Sequence, residues 1–277
     1  MNYEFALIGY PIKHSLSPWI HERFLQQTEL AGSYSIIEID PEESFQKAVD
    51  KLKQSSLNGF NITVPYKEKI MPYLDEIDDQ AKQIGAVNTV LCKDGKWVGY
   101  NTDGMGYMRA LLNKYPEIAN NKEQAILLLG AGGAAKGILY ALLHHGYENI
   151  TIANRSLERA HELARANDRI KVVSLEEAET GLASFQLVIQ TSSVGMKPYE
   201  TEQIISLEKI NQEAVVSDIV YQPLLTSLLK EAKAYGAKIH FGHSMLLYQA
   251  QYAFEIWTKK KPDMTSLDKQ LKLELEG

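Results

Sequence analysis

The side chains best placed to move a proton or hold a hydroxylated ligand sit in short stretches of the first half of the chain. Asn61-Ile62-Thr63-Val64-Pro65-Tyr66-Lys67-Glu68 brings an amide, a hydroxyl and an amine to what reads as a strand end. Tyr10-Pro11-Ile12-Lys13-His14-Ser15-Leu16-Ser17-Pro18 presents hydroxyls on alternate residues where another strand gives way to a helix. Asn88-Thr89 and Asn101-Thr102-Asp103-Gly104 add an amide and a carboxylate. Such groups suit a small polyhydroxylated ligand, and strand ends are where open α/β sheets bind ligands. Each also has a plainer reading. Ser17 before Pro18 reads as an N-cap, Pro65 as a turn, Lys67 as an exposed lysine, and Asp103 as the cap of a helix beginning near Met105. His14, His21, His144 and His145 are not spaced with carboxylates as a metal site, and no metal is expected.

The second half carries Leu127-Leu128-Leu129-Gly130-Ala131-Gly132-Gly133-Ala134-Ala135, a G-x-G-x-x-A string directly after an apolar strand and before a helix expected over 135–145. Gly130 allows the tight turn, Gly132 lets backbone approach a pyrophosphate, and small Ala135 permits close helix–strand packing. The helix N-terminus offers free N–H groups to phosphates. Alone the string means only a tight turn; its strand–helix–strand context makes it a dinucleotide site. The second strand ends at Ile152-Ala153 and is followed by Asn154-Arg155-Ser156, with no carboxylate for a ribose 2′-hydroxyl. Arg155, and Arg159 one helical turn later, offer guanidinium donors to a 2′-phosphate, with Asn154 and Ser156 for the ribose or that phosphate. The expected cofactor is therefore NADP, although each arginine alone also reads as a solvated surface residue.

These residues need a frame of alternating strands and helices. Strands are expected at 3–9, 34–39 and 59–64, then a hairpin of 87–92 and 96–100 around Lys93-Asp94-Gly95, and a helix from Asp103 to about Lys114. Asp40-Pro41-Glu42-Glu43 repeats the helix-start signal of Ser17-Pro18. A polar linker over 115–123 leads to strands at 124–129, 149–153, 170–173, 185–190, 214–219 and 237–241, with helices at 157–166 and 224–235. Helical spacing returns over 245–257 and 266–275. The fold class is α/β: an N-terminal α/β substrate domain (1–104), a doubly wound Rossmann-type domain (105–240), and C-terminal helices (241–277) packing back on the first.

Composition excludes several classes. The chain has 277 residues, 45% of them hydrophobic and 23% charged, a globular balance with no room for collagen-like, disordered or coiled-coil readings. Its net charge of −6 argues against a nucleic-acid partner. No apolar run reaches a membrane span, and MNYEFALIGYPIK lacks a basic n-region and a cleavage site, so no membrane association and a cytoplasmic setting are expected. The single cysteine, Cys92, makes no internal disulfide.

The strings SLSP, NITVPYKE, GAVNT, GYNTDG, GAGGAA, NRS and GHSMLLYQ, in this order over nearly the whole chain, resemble the shikimate dehydrogenase family. NTDG and the lysine of VPYK are the most specific of them. The resemblance implies NADP-linked interconversion of 3-dehydroshikimate and shikimate in aromatic amino-acid biosynthesis, in a cleft between the two domains, by a monomer or homodimer acting on a small-molecule substrate. It makes Lys67 and Asp103 the catalytic pair and Ser15, Ser17, Thr63, Asn88, Tyr221 and Gln249 substrate contacts. Gly130, Ala131, Gly132, Gly133 and Ala134 would then hold the cofactor phosphates, with Ile219 and Gly242 on the nicotinamide side. Gln190, Ser192 and Phe241 depart from the family pattern without touching that pair.

The chemistry needs hydride delivered to carbon and a proton delivered to the developing alkoxide. Lys67 serves both directions if burial disfavours its ammonium form, whereas a neighbouring carboxylate favours it. Whether Asp103 orients Lys67 or carries the proton itself stays open. An enzyme that also takes quinate, with NAD, is the alternative, although Arg155 argues against NAD. A non-catalytic NADP sensor on the same fold is a remoter one, opposed by the presence of both Lys67 and Asp103.

Overall fold

The run Phe5-Ala6-Leu7-Ile8 is buried on both faces, as an inner strand of a largely parallel sheet must be. In the computed structural model, which describes residues 2–276, it lies in β1 (Tyr3–Gly9). The first of two compact units takes the residues up to 106 together with 249–265. After β1 come α1 (Ser17–Gln27), β2 (Gly32–Glu38), α2 (Phe45–Lys53), β3 (Gly59–Ile62), β4 (Glu76–Ile77), α3 (Asp79–Ile84), β5 (Thr89–Lys93), β6 (Lys96–Tyr100) and the start of α4 (Asp103–Lys114).

The sheet order is β2-β1-β3-β5-β6-β4. β1 pairs in parallel with both β2 and β3, while β3, β5 and β6 run antiparallel in turn. Asp94 and Gly95, with φ of 52° and 75°, make the tight β5–β6 turn that Asp-Gly favours. One sheet face packs Ile8, Phe60, Ile62, Val90 and Trp97 together. An aromatic group of Phe5, Phe24, Tyr34, Phe254 and Trp257 encloses His21, whose ring stacks on Tyr34 at 4.3 Å. Because β1 sits between β2 and β3, the chain reverses its winding there, and the loops after β1 and β3 open side by side.

The second unit takes 107–248 and the residues from 266 on. It contains β7 (Ile126–Leu129), α5 (Gly133–His144), β8 (Ile150–Ala153), α6 (Leu157–Ala164), β9 (Lys171–Val173), α7 (Leu175–Thr180), β10 (Leu187–Gln190), β11 (Val215–Asp218), α8 (Ser227–Ala234), β12 (Lys238–His240), the start of α9 (Gly242–Thr258) and α10 (Leu267–Glu276). The sheet is wholly parallel in the order β12-β11-β10-β7-β8-β9, the doubly wound arrangement with its switch point between β7 and β10. Ile126 and Leu128 enter one core, Leu127 and Leu129 the other, so a continuous apolar strand feeds both faces. Among the described residues no helix is long and apolar enough to cross a membrane.

Several local expectations change. Ser17 is the first residue of α1 rather than its cap; Leu16 occupies the cap position without a side-chain bond. Asp40 Oδ1 accepts from the Glu42 N–H, a local turn, and α2 is capped instead by Ser44, so the helix starts later than Asp-Pro suggests. The short α7 carries a full capping box of Ser174 and Glu177, an S-x-x-E signal present in the sequence. The expectation grouped 241–277 with the substrate domain. In the structure 249–265 belongs to the first unit, whereas α10 belongs to the second, where it buries Leu267 and Leu271 and sets Asp268 3.3 Å from His243 of α9.

Candidate functional site

In the first unit the strand ends and the start of α4 converge on a buried polar group. Lys67 follows β3, and its Nζ lies 2.5 Å from Asp103 Oδ2, with the two side chains only 16% and 7% exposed. At that burial the pair is shielded from most solvent screening, unlike a surface ion pair. Asp103 is the first residue of α4, and its N–H donates to Asn101 Oδ1 at 3.1 Å. Asn101 is anchored in turn by donating to the Ala86 carbonyl at 2.9 Å. The carboxylate thus does more than cap a helix: its Oδ1 accepts from Asn88 Nδ2 at 2.8 Å while Oδ2 faces the lysine. The same Asn88 amide reaches toward Gln249 Oε1 at 3.5 Å, which brings α9 into the group.

The loops after β1 and β3 are tied together. Tyr10 N–H donates to the Val64 carbonyl, and a Cβ on Gly9 would sit 2.4 Å from the Thr63 methyl. Ser15 and Ser17 meet with their hydroxyl oxygens 3.2 Å apart, and Ser15 also accepts from the Ser17 N–H. Of the expected substrate contacts, Lys67, Asp103, Asn88 and Gln249 form one connected group, Ser15 and Ser17 a second, and Thr63 lies on the loop bound to theirs. Tyr221 belongs to the second unit. The surrounding frame of Asn61, Thr89, Asn101 and Thr102 falls within the polar strings of the sequence but outside the residues expected to touch a ligand. Their only signal is the recurrence of Asn and Thr in NIT, VNT and YNT.

In the second unit the Gly-rich turn suits a dinucleotide. Gly130 has φ of 111°, and a Cβ there would meet Thr191 Oγ1 at 2.6 Å, so this turn requires glycine. Gly132 caps α5, and open space surrounds the position its Cβ would take, room that a phosphate group can use. Ala135 is fully buried against the sheet. After β8, Arg155 and Arg159 are exposed and, among the described residues, make no ion pair, which leaves their guanidinium groups available to an anion. Asn154 donates to the Ser156 carbonyl, and Ser156 caps α6. Gly242 lies against the chain at Ile219 and Val220, where a Cβ would be 2.4 Å from the Ile219 carbonyl oxygen.

The turn carrying Ile219 and Tyr221 is held by Asp218. Its carboxylate accepts from Val220 N–H at 2.9 Å and Thr226 Oγ1 at 2.7 Å, and Gln190 Nε2 lies 3.4 Å away. Burial pushes the Asp218 carboxyl up to about 7. Gln190, a departure from the family pattern, accepts from Ser192 N–H and donates to the Ser192 and Val194 carbonyls, so it organises its own loop.

Comparison with known proteins agrees with this arrangement. Family models match three successive parts of the chain: the shikimate dehydrogenase substrate binding domain over residues 7–90, shikimate / quinate 5-dehydrogenase over 113–222, and the shikimate 5′-dehydrogenase C-terminal domain over 242–269. The NADP(+) shikimate dehydrogenase of Oceanobacillus iheyensis is 54% identical over the full length of both chains. A crystal structure of shikimate dehydrogenase in complex with NADP+ is 37% identical, covering 99% of this chain and 96% of its own, with a TM-score of 0.91. The Thermus thermophilus enzyme in complex with NADP(H) and shikimate is 33% identical over 98% of this chain and 99% of its own, with a TM-score of 0.86. Two α/β units, a Rossmann-type sheet and similarity across all 277 residues lead to one conclusion: the chain belongs to the shikimate dehydrogenase family.

Proposed function

We propose that this chain catalyses the NADP-dependent, reversible reduction of 3-dehydroshikimate to shikimate in aromatic amino-acid biosynthesis. The observation that carries the reading is the shielded Lys67–Asp103 pair at 2.5 Å, set at strand ends among amides and hydroxyls. NADPH, when bound, supplies the hydride. Lys67 Nζ gives its proton to the developing alkoxide and takes it back in the oxidation. Asp103 is the orienting partner: Asn88 holds one of its oxygens and the other holds the ammonium. Ser15, Ser17, Thr63, Asn88 and Gln249 are assigned to the carboxylate and ring hydroxyls, and Tyr221 is assigned as a substrate contact on the family pattern alone.

On the cofactor side, Gly130, Ala131, Gly132, Gly133 and Ala134 take the pyrophosphate, and Arg155 with Arg159 the 2′-phosphate. Asn154 and Ser156 are assigned to the ribose, and Ile219 and Gly242 to the nicotinamide. The proposed setting is the cytoplasm, as a monomer or homodimer without a nucleic-acid partner; the charge of −6 supports the last point.

The test is an assay of shikimate and quinate, each offered NADP and NAD. Shikimate with NADP is expected to give the highest kcat/KM. Quinate has a claim because one matching family model covers quinate dehydrogenases too. A comparable kcat/KM for quinate would move the assignment to a dual-substrate enzyme, and no turnover of either substrate would overturn it.

A further inference from the structure

Behind Asp103 lies a network of buried hydrogen bonds in which backbone groups fix the direction of two side-chain amides. Asn61 Nδ2 faces the Asn88 backbone carbonyl at 3.2 Å. A carbonyl only accepts, so the Asn61 amide is oriented without ambiguity. Its Oδ1 accordingly takes the Tyr34 hydroxyl at 2.8 Å, and its Nδ2 lies 3.1 Å from Thr89 Oγ1. The Asn88 side chain is oriented by the opposite argument. Its Oδ1 faces the Thr102 backbone N–H at 2.9 Å, which only donates, so its Nδ2 must point at Asp103 Oδ1 at 2.8 Å. Thr89 Oγ1 stands between the two amides and lies 2.9 Å from Asn88 Oδ1. A hydroxyl has one hydrogen: Thr89 accepts from Asn61 and donates to Asn88 Oδ1 at 2.9 Å, its shorter acceptor contact, with the Thr102 hydroxyl 3.4 Å away.

We infer that Thr89 is a positioning residue for the reaction. Its hydroxyl donates to Asn88 Oδ1 beside the Thr102 N–H, and through Asn88 it helps present Asp103 with Oδ1 occupied and Oδ2 left to Lys67. Thr89 is 0% exposed, so it touches no ligand and acts only through its neighbours. The pairing of β5 with β3 sets Thr89 opposite Asn61, which makes the link a product of strand register. The inference rests on the reading of Lys67 and Asp103 as the reacting pair.

Thr89→Val keeps the shape and removes the hydroxyl; Thr89→Ser keeps the hydroxyl. The valine variant is expected to lose about tenfold in kcat for shikimate oxidation, the effect of one buried hydrogen bond left unmade, with NADP affinity unchanged. The serine variant is expected within about twofold of wild type. If the valine variant does not fold, Thr89→Ala takes its place in the same comparison. A folded hydroxyl-free variant with wild-type kcat would overturn the inference, as would a serine variant as slow as the valine one. A loss of thermal stability with kcat per folded molecule intact would give Thr89 a purely structural role and overturn it too. Lys67→Met separates the two levels: wild-type turnover in that variant would remove the underlying reading whatever Thr89 does.

Discussion

Lys67 and Asp103 face each other with little solvent exposure, and the carboxylate has further partners of its own. The carboxylate is held from behind by Asn88 and by the backbone of its own helix start, which leaves the lysine as the group free to move a proton. Lys67→Met, which keeps the stem and removes the amine, is therefore expected to lower kcat by about 10² to 10⁴ with little change in NADP affinity. Steady-state rates and a cofactor titration on the purified variant check it. Arg155 is tested on the other ligand. It is exposed and, among the described residues, without an ion pair, so its loss is expected to cost NADP about 10- to 150-fold in affinity, the value of a charge-assisted hydrogen bond, and NAD almost nothing. Equal losses for both cofactors would mean that Arg155 supports its loop rather than reading a phosphate. Arg159 shares that surface, and the double variant is expected to lose more than Arg155→Ala alone.

Elements place these groups through close backbone approaches. Where α4 meets α9, Gly106 lies so near Gln249 that an added Cβ would stand 2.5 Å from its backbone nitrogen and 2.7 Å from its Cα. Backbone atoms of a helix cannot swing aside as a side-chain tip can. Gly106→Ala is expected to push the helices apart, at about 1 to 3 kcal/mol of stability for the overpacked contact. It also moves Gln249, so KM for shikimate should rise more than KM for NADP. Thermal melts with kinetics on both substrates test the pair of effects; an unchanged melting temperature would mean the helices absorb the methyl. On the sheet side, Trp257 Nε1 donates to the Val90 carbonyl at 2.9 Å, and Gly59 leaves room for the indole ring, which fastens α9 to β3 and β5.

Across the whole molecule, acid stability depends on a few buried titrating groups. Burial lowers His21 to about 3 and His240 to about 4, so both stay neutral in the folded chain. Below about pH 6.5 the unfolded chain takes up these protons and the folded one does not, so each histidine removes about 1.4 kcal/mol of stability per pH unit as pH falls. Asp218 acts in the opposite sense. With its carboxyl raised to about 7, the folded chain binds a proton that the unfolded chain binds only near 3.8, and stability from this group rises as pH falls between those values. His21→Phe keeps a ring in the aromatic group and removes one proton uptake. The variant's stability relative to wild type is expected to improve by about 1.4 kcal/mol per unit as pH falls from 6.5 toward 4.5, measured by denaturant unfolding at several pH values. A difference independent of pH would refute a buried neutral His21.

Much of this was written locally. The G-x-G-x-x-A turn, the Asp-Gly hairpin and the apolar strands of the second sheet follow from short-range sterics and burial patterns, so Gly130, Gly95 and Leu127 to Leu129 could be read without tertiary knowledge. The separate strings around Lys67 and Asp103 were visible as polar clusters, and their order along the chain pointed to the family. Their meeting was not visible in residue spacing, because 36 positions separate them and only the β3–β5–β6 register brings them together. The capping residues of α1 and α2 were misplaced by a few positions, since Ser-Pro and Asp-Pro signal a helix start without choosing its first turn. Tertiary structure alone decided the frame behind the pair. Asn61, Thr89, Asn88 and Thr102 are ordinary polar residues in a sequence, and they become an oriented network only where buried amides and hydroxyls must find every partner among themselves.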